Sequence, residues 1–393
     1  MTIKRFLGAI CLLVLSCILI AGLWPFRAPK NEVSWLDDGN GLLFGEYGSI
    51  LSSGTFKANN PAGVPSCSLE IWLQPSFDHS GTILAFYSAE NPDVPFQLWQ
   101  SHGDLGIRRS NLNLFHQTER TRIYVADLFR QGRPVFITIS SGPAGTAIYE
   151  DGVLARKFPE FRVSSQDLAT QIILGNAPGV IHAWSGTLKG VAIYDRELAS
   201  AEVSQHYANW MNNTQTGLAK SDGIVALYLF NEGKGSIVHN KVDSTTDLLI
   251  PKRFFVLREE FLEPPWSEFY PAWSYWSNLG VNIAGFVPFG FFFCGYLFWV
   301  RKIKRAVIVT VAMGFIVSLT IEVLQAFLPT RNSGMTDLIT NTSGTALGAM
   351  AWTWGASHIW FAQQVTAPAC SVGQTRDSIR LPERLTEPCN RDA

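Results

Sequence analysis

The sequence predicts a multidomain protein: an all-β sandwich outside the cytoplasm joined to an α-helical transmembrane bundle of four spans. Three observations lead there. Charged residues make up 16% of the 393-residue chain and apolar residues 47%, against about 25% charged in ordinary soluble proteins. Four apolar runs are long enough to cross hydrocarbon, one at the start and three close together near the end. Between the first and second, short alternating or β-branched segments recur between Gly, Pro, Asn and Asp clusters, as in an antiparallel sandwich. The net charge of −1 offers no electrostatic reason to expect nucleic acid. With aromatics at 12%, 33 glycines and 20 prolines, collagen, coiled coil and a solvated disordered chain are excluded.

The first apolar run, residues 6–24, follows Lys4 and Arg5 and is long enough, at 1.5 Å per residue, to cross a layer of about 30 Å. A cleavable signal peptide has an apolar core of only about 7 to 15 residues and ends in small side chains. This run ends Leu23-Trp24-Pro25-Phe26, which predicts an uncleaved span. Leu15-Ser16-Cys17 has the outline of a lipoprotein box, but more apolar residues follow Cys17 where a polar mature terminus belongs. The other runs are residues 279–300, 306–328 and 338–360. Arg301-Lys302-Ile303-Lys304-Arg305 joins the second to the third, and the positive-inside rule assigns that connector to the cytoplasm. Both termini are then cytoplasmic, and residues 25–278 are extracytoplasmic. Arg27 and Lys30, beyond the first span, pull against this orientation, whereas Lys4 and Arg5 agree with it.

The expected organisation is a first span over 1–28, a sandwich over 29–255 and an interfacial linker over 256–277. A three-span membrane domain over 278–362 and a flexible cytoplasmic tail over 363–393 complete it. Trp266, Tyr270, Trp273, Tyr275 and Trp276 give the linker its membrane-anchoring aromatics. Of six cysteines only Cys67 lies in the exported part, so no disulfide forms within it.

Within the sandwich, Ser68-Leu69-Glu70-Ile71-Trp72-Leu73-Gln74 alternates and stops at Pro75, and Val135-Phe136-Ile137-Thr138-Ile139 stops before Gly142. Ala147-Ile148-Tyr149 meets the turn Glu150-Asp151-Gly152. Residues 197–209, with Leu198, Ala201, Val203 and Tyr207 striped along one face, predict a short helix. A glycan hydrolase of this type needs two carboxylates about 5 to 9 Å apart. Glu70 stands alone in its strand, and the adjacent pairs Asp37-Asp38 and Glu259-Glu260 point to opposite faces of any strand. Glycan binding instead uses aromatic platforms with nearby amides, for which Trp99, Asn176, His182 and Trp184 are the candidates. Each Trp taken singly suits core or edge packing better than a platform, by roughly two to one, because large aromatics dominate sandwich interiors. Asp151 or Asp195 lacks the run of oxygen ligands that makes a calcium loop, so no metal or other cofactor is assigned.

Polar residues in the C-terminal spans are expensive in hydrocarbon and mark a site or a packing contact. Ser318, Glu322 and Gln325 fall on one face of the third span, and Asn341, Gly344 and Gly348 on one face of the fourth. Gly344 and Gly348 permit close backbone approach, expected here between those two helices. Pro288 removes a backbone donor within the second span. With the basic connector inside, Asn282, Glu322, Asp337 and Asn341 all lie in the outer half, and Arg331 is the natural partner for Glu322 or Asp337. The expected polar cluster is Asn282, Ser318, Glu322, Gln325, Arg331, Asp337 and Asn341.

Two resemblances become specific on these residues. The blocks Leu69-Glu70-Ile71-Trp72-Leu73-Gln74-Pro75, Ile148-Tyr149-Glu150-Asp151-Gly152, and the run from Gly186 through Tyr194-Asp195-Arg196-Glu197-Leu198 resemble bacterial concanavalin A-like, laminin-G-type modules, implying a jelly-roll sandwich. Val225-Ala226-Leu227-Tyr228-Leu229-Phe230-Asn231-Glu232-Gly233 also resembles such modules, but there it opens the domain and here it closes it, implying a circular rearrangement. The C-terminal part resembles the VanZ-like membrane proteins through Asn282, Phe286-x-Pro288-Phe289-Gly290, and Ser318-x-x-Ile321-Glu322-x-x-Gln325. Arg331 and Asp337-Leu338-Ile339-x-Asn341-Thr342-x-Gly344-x-x-x-Gly348 continue the match. This second resemblance implies a bacterial inner-membrane envelope protein and a link with glycopeptide susceptibility, without a biochemical activity.

The leading expectation is a non-enzymatic envelope protein whose sandwich binds a glycan or envelope protein while the bundle sits in membrane lipid. The alternative is a membrane enzyme or headgroup handler acting on a lipid-linked cell-wall precursor, with Glu322 or Asp337 as acid or base. A third reading makes the polar cluster an interhelical hydrogen-bond network that specifies packing.

Overall fold

A computed structural model describes residues 3–37, 39–57, 66–76, 80–88, 94–112, 118–129, 132–179, 183–254, 256–257, 261–269 and 271–365. Helix α1 (Ile3–Leu23) leads into the sandwich. Its strands are β1 (Val33–Trp35), β2 (Leu42–Phe44), β3 (Ile50–Ser52), β4 (Cys67–Pro75), β5 (Gly81–Tyr87), β6 (Phe96–Ser101), β7 (Asp104–Leu112) and β8 (Thr118–Val125). They continue as β9 (Val135–Gly142), β10 (Gly145–Glu150), β11 (Val153–Phe158), β12 (Gln171–Leu174), β13 (Gly186–Tyr194), β14 (Ile224–Tyr228), β15 (Ile237–Val238) and β16 (Leu248–Leu249). Helix α2 (Ser165–Leu168) precedes β12, and α3 (Ser200–Met211) follows β13.

All the ladders are antiparallel. One sheet runs β1-β2-β13-β4-β9-β10-β11, with β14 on the remaining half of the β13 edge; the other runs β15-β16-β3-β12-β5-β6-β7-β8. Alternation along β4 sends Leu69, Ile71 and Leu73 into the core between the sheets and Glu70 and Trp72 to the opposite face. That outer face is covered by α3, through Val203 and Trp210, which is why β4 is buried on both sides. On the second sheet Leu98, Leu105 and Ile107 point into the core, leaving the residues between them on the outside.

Strand β14, within the closing segment, lies beside β2 along β13, although it comes last but two among the strands. The entry and exit of the sandwich meet, with Lys30 bridging to Arg253 and Asn31 Nδ2 donating to the Pro251 carbonyl at 2.9 Å. Neighbouring ends are the condition for the circular rearrangement that the resemblance implies.

After α4 (Pro265–Glu268) come α5 (Trp273–Gly295), which passes through Pro288 and ends in a π-turn at Tyr296–Val300, then α6 (Ala306–Gln325) and α7 (Met335–Val365). Among the described residues three helices are long and apolar enough to span a membrane: Lys4–Leu23, Trp273–Val300 and Ala306–Gln325. At 31 residues α7 has the length, but Thr336, Asp337, Thr340, Asn341, Thr342 and Ser343 make its first turns polar. Trp266 in α4 and Trp273 at the first position of α5 are 80% and 84% exposed.

The glycines of α7 meet α5, which corrects the expectation that they pack on α6. A Cβ at Gly344 would lie 2.2 Å from the Ile283 carbonyl oxygen, and one at Gly348 only 2.0 Å from that of Val287. Gly290 of α5 returns the contact, with its own added Cβ 2.0 Å from the Thr345 oxygen. Contact with α6 goes instead through Gly314, where a Cβ would meet Thr345 Oγ1 at 2.3 Å. Without side chains at these positions the two backbones close together, and dispersion replaces the hydrophobic drive that lipid does not supply.

Candidate functional site

The membrane helices enclose a cavity of about 430 Å³ between α1, α5, α6 and α7. Of the seven residues expected to cluster, Asn282, Glu322, Gln325, Arg331, Asp337 and Asn341 line it, and Ser318 stands directly behind. Asn282 Nδ2 donates to Asp337 Oδ1 at 2.7 Å, tying α5 to α7, and Asn341 Nδ2 donates to Ser318 Oγ at 3.0 Å, tying α7 to α6. Gln325 Nε2 donates to the Gly22 carbonyl at 2.8 Å, which brings in α1. Gln325 Oε1 and Asn341 Oδ1 are buried without a hydrogen-bond partner among the described residues.

Arg331 departs from the expected pairing. Its guanidinium donates to the Trp24 carbonyl, at 3.0 Å from Nε, and among the described residues it makes no ion pair with Glu322 or Asp337. The short connector holding Arg331 reaches the end of α1, and Glu322 is occupied otherwise: its Oε2 accepts from the Gly334 N–H at 2.8 Å. Glu268 accepts from both the N–H (3.1 Å) and the hydroxyl of Thr336. Two carboxylates therefore satisfy orphan donors at the start of α7, where the helix dipole also favours negative charge. Glu263 adds a backbone ladder, donating to the Ser333 carbonyl and accepting from the Met335 N–H, each at 2.9 Å. Glu263, Glu268 and Gly334 escaped sequence reasoning, since nothing in the linker pattern announces a contact 70 residues ahead.

The second cavity, of about 290 Å³, lies on the outer face of the β5-β6-β7-β8 sheet. It is lined by two neighbouring rungs, in which Gln97, Arg108 and Arg122 are successive cross-strand partners, as are Trp99, Gly106 and Tyr124. The rungs are two residues apart on every strand, so all their side chains point the same way. The Trp99 indole lies over Gly106, where a Cβ would stand 2.1 Å from Cε2, and meets Tyr124 edge to face with centroids 5.4 Å apart. Gln97 Nε2 donates to Thr82 Oγ1 at 2.7 Å.

Of the three described residues among those expected to contact glycan, the structure brings Trp99 to this cavity and leaves Asn176 and Trp184 out of its lining. Trp184 is fully buried, which removes it as a glycan platform and gives it the interior place: its ring fills the core against Phe44, and its Nε1 donates to Gln100 Oε1 at 2.8 Å. Gln100 in turn lines the cavity, so Trp184 buttresses the site from beneath. Asn176 is likewise fully buried, and His182 lies outside the described residues. Gln97, Arg108, Arg122 and Tyr124 were the residues sequence reasoning missed; strand alternation relative to Trp99 was the available signal.

Glu70 is fully buried on the opposite sheet. His206 Nδ1 lies 2.8 Å from its Oε1, and Tyr194 Oη and Trp210 Nε1 donate to its Oε2 at 3.2 and 3.3 Å. Burial and the neighbouring carboxylate push the Tyr194 hydroxyl well above its ordinary range. Cys67 is buried and its thiol is also raised, chiefly by burial, which keeps it protonated and unreactive. Among the described residues no group of three or more His, Cys, Asp or Glu is placed to hold a metal ion.

These features define a helical bundle with apolar, membrane-length helices, carrying a β-sandwich of lectin type. Residues 223–356 match the family VanZ/LLP1, and residues 48–204 match the Concanavalin A-like lectin/glucanases superfamily, so the chain combines a VanZ-like region with a concanavalin A-like domain. The VanZ/LLP1 match begins at β14, whose hydrogen bonds place it in the sandwich. No curated protein matches the chain. Among solved structures, the receptor binding domain of botulinum neurotoxin C/D mosaic serotype is 15% identical, with a TM-score of 0.32, over 47% of this chain and 46% of that one. The chain thus spans less than half the length of that protein. The Ruminococcus gnavus IT-sialidase CBM40 bound to alpha2,3 sialyllactose is 12% identical, with a TM-score of 0.31, over 42% of this chain and 96% of that one. A native heptameric SAP-like pentraxin from Limulus polyphemus is 13% identical, with a TM-score of 0.34, over 57% of this chain and 95% of that one. Scores this low transfer no ligand.

Proposed function

We propose that this is a multi-pass bacterial envelope protein whose sandwich binds saccharide outside the cytoplasm while the helices hold it at the inner membrane. The supporting observation is the outer-sheet cavity, where the Trp99 indole stands beside amide and guanidinium groups. A sugar ring offers apolar C–H faces to an aromatic and hydroxyls to the polar groups around it. In this reading α7 is the fourth span, both termini are cytoplasmic, and residues 25–278 are extracytoplasmic, following the basic connector 301–305. The domain limits are those of the sequence, with the sandwich over 29–255 and the membrane domain over 278–362. Binding of cell-wall glycan would sequester material that glycopeptides target, which gives a route to altered susceptibility. The test is glycan-array binding by the full-length protein in nanodiscs: Trp99→Ala should abolish binding with unchanged thermal stability. Absence of wild-type binding to every saccharide would shift the role to an envelope protein partner.

A second reading is supported by the membrane cavity. Gln325 Oε1 and Asn341 Oδ1, both buried and unpartnered, join Glu322 and Asp337 as acceptors, a lining suited to the hydroxyls or ammonium of a lipid headgroup. In this reading Glu322 or Asp337 handles a lipid-linked cell-wall precursor. Glu322→Gln and Asp337→Asn separate the possibilities: lost turnover of labelled precursor at normal membrane abundance indicates chemistry, and lost abundance alone indicates a packing network.

A further inference from the structure

We infer that the membrane cavity receives the primary ammonium of an aminophospholipid, a phosphoethanolamine-type headgroup entering sideways between α1 and α5. The inference rests on the headgroup reading of this cavity given above and adds the headgroup's charge and donor class. The amides in the lining spend their donors on protein: Asn282 on Asp337, Gln325 on the Gly22 carbonyl and Asn341 on Ser318. Gln325 and Asn341 are 7% and 6% exposed, and Gln325 Oε1 and Asn341 Oδ1 are left without a partner among the described residues. Beside them the lining holds the carboxylates of Glu322 and Asp337. Acceptors and negative charge thus dominate, and a ligand that completes the lining has to bring N–H groups and a positive charge. A primary ammonium supplies three donors and the charge on a single nitrogen. A quaternary ammonium supplies no donor and is held by an aromatic cage, whereas Phe286 is the one aromatic among the described lining residues.

The packing of α1 supplies the way in. Near its middle α1 lies against α5, where Cys11 clusters with Phe289 and Phe293. Towards its end it leans on α6 instead: a Cβ at Gly22 would lie 3.0 Å from Ile321 Cγ2, and the Gly22 carbonyl accepts the Gln325 bond. The facing stretch of α5 is left uncovered, with Val281 66% exposed and nothing within 4 Å of an added Cβ at Gly285. Both residues line the cavity, which therefore opens on the flank of the bundle, the side that meets lipid when the helices span a membrane. A headgroup can enter there while its acyl chains stay in hydrocarbon. Arg331 also lines the cavity; its Nε and one Nη donate to the Trp24 carbonyl, and its other Nη is placed to receive the phosphate of the same headgroup.

The experiment uses the full-length protein in detergent and native mass spectrometry. The probes are phosphatidylethanolamine, phosphatidylcholine and phosphatidylglycerol of identical acyl chains, with soluble phosphoethanolamine as competitor. Wild type should bind phosphatidylethanolamine about tenfold or more tightly than either other lipid. Gly285→Phe, whose Cβ meets no neighbour and whose ring occupies the opening, should abolish that binding at an unchanged unfolding temperature. Asp337→Asn should remove the preference among the three lipids, whereas Arg331→Gln should weaken all three alike, because each carries the phosphate. The unfolding temperature accompanies every variant, and Glu322→Gln replaces Asp337→Asn should the latter not fold. Equal binding of the three lipids, or preference for choline or glycerol, overturns the ammonium assignment and leaves a headgroup site wherever Gly285→Phe still abolishes binding. Soluble phosphoethanolamine binding as tightly as the lipid overturns the lipid source. Absence of binding by all three lipids, or binding that Gly285→Phe leaves unchanged, overturns the headgroup site itself.

Discussion

Glu70 is the residue whose sequence context is most misleading. Isolated on its strand, it has no second carboxylate with which to hydrolyse a glycosidic bond, and alternation puts it outside the intersheet core. Helix α3 covers that outer face, and the carboxylate gathers His206, Tyr194 and Trp210 from two elements. Glu70→Ala leaves these groups buried without their acceptor and is expected to destabilise the sandwich by about 3 kcal/mol or more. Glu70→Gln, which keeps one acceptor oxygen, should cost markedly less; equal losses in denaturant unfolding would count against the network. Glu202 governs acid sensitivity on the same helix. Its carboxylate takes a two-pronged bond from Arg196, at 3.0 and 2.7 Å, and one from the Ala199 N–H at 2.9 Å, which hold it down to about 2 from an ordinary 4.5. A depressed folded-state value contributes stability above the unfolded value, and that contribution is lost as pH falls from about 4.5 towards 2. Glu202→Gln should therefore be less stable than wild type at pH 7, and the difference in unfolding midpoint should vanish at the acid end of that window.

At the scale of elements, α7 combines two kinds of contact that answer different needs. Its first turn is polar and is pinned by Glu322 and Glu268, whereas its middle is stripped to Gly344 and Gly348 so that α5 can approach. A side chain at Gly348 meets backbone atoms of α5, the Val287 oxygen at 2.0 Å and the Phe291 nitrogen at 2.8 Å, and neither can turn aside as a flexible side-chain tip would. Gly348→Leu is expected to force α5 and α7 apart and lower bundle stability by about 1–3 kcal/mol, read as a drop in the detergent unfolding temperature. Gly355, with open space at its added Cβ, is the matched control and should accept alanine without loss. The small-residue spacing was legible in the sequence, but its partner was not. Periodicity assigns residues to a face of one helix and carries no information about which neighbour that face meets. The same limit explains Trp184: a Trp near turn residues reads as core or edge more readily than as platform, and only the pairing of strands decides.

For the whole molecule, the sandwich, the helical C-terminal region and the convergence of six polar side chains on one cavity all followed from local pattern. Costly groups in apolar runs have few places to go, so helical face and depth together bring them near each other. The clamp from Glu263 and Glu268 onto the start of α7 did not follow, because it joins an irregular linker to a distant helix through backbone bonds. That clamp carries a consequence for the molecule's orientation. It places the linker that leaves the sandwich at the same end of the bundle as the start of α7 and the connector bearing Arg331, which itself reaches the end of α1 at Trp24. The connector 301–305 joins the other ends of α5 and α6, so one assignment of sidedness decides them all. If the four basic residues of that connector face the cytoplasm, a cysteine replacing Glu150 should react with a membrane-impermeant maleimide in intact cells, whereas one replacing Ile303 should react only after permeabilisation. The background needs its native cysteines removed, since Cys17 is exposed on α1. The reverse labelling pattern would put the sandwich in the cytoplasm, and with it would go any access of the Trp99 face to cell-wall saccharide.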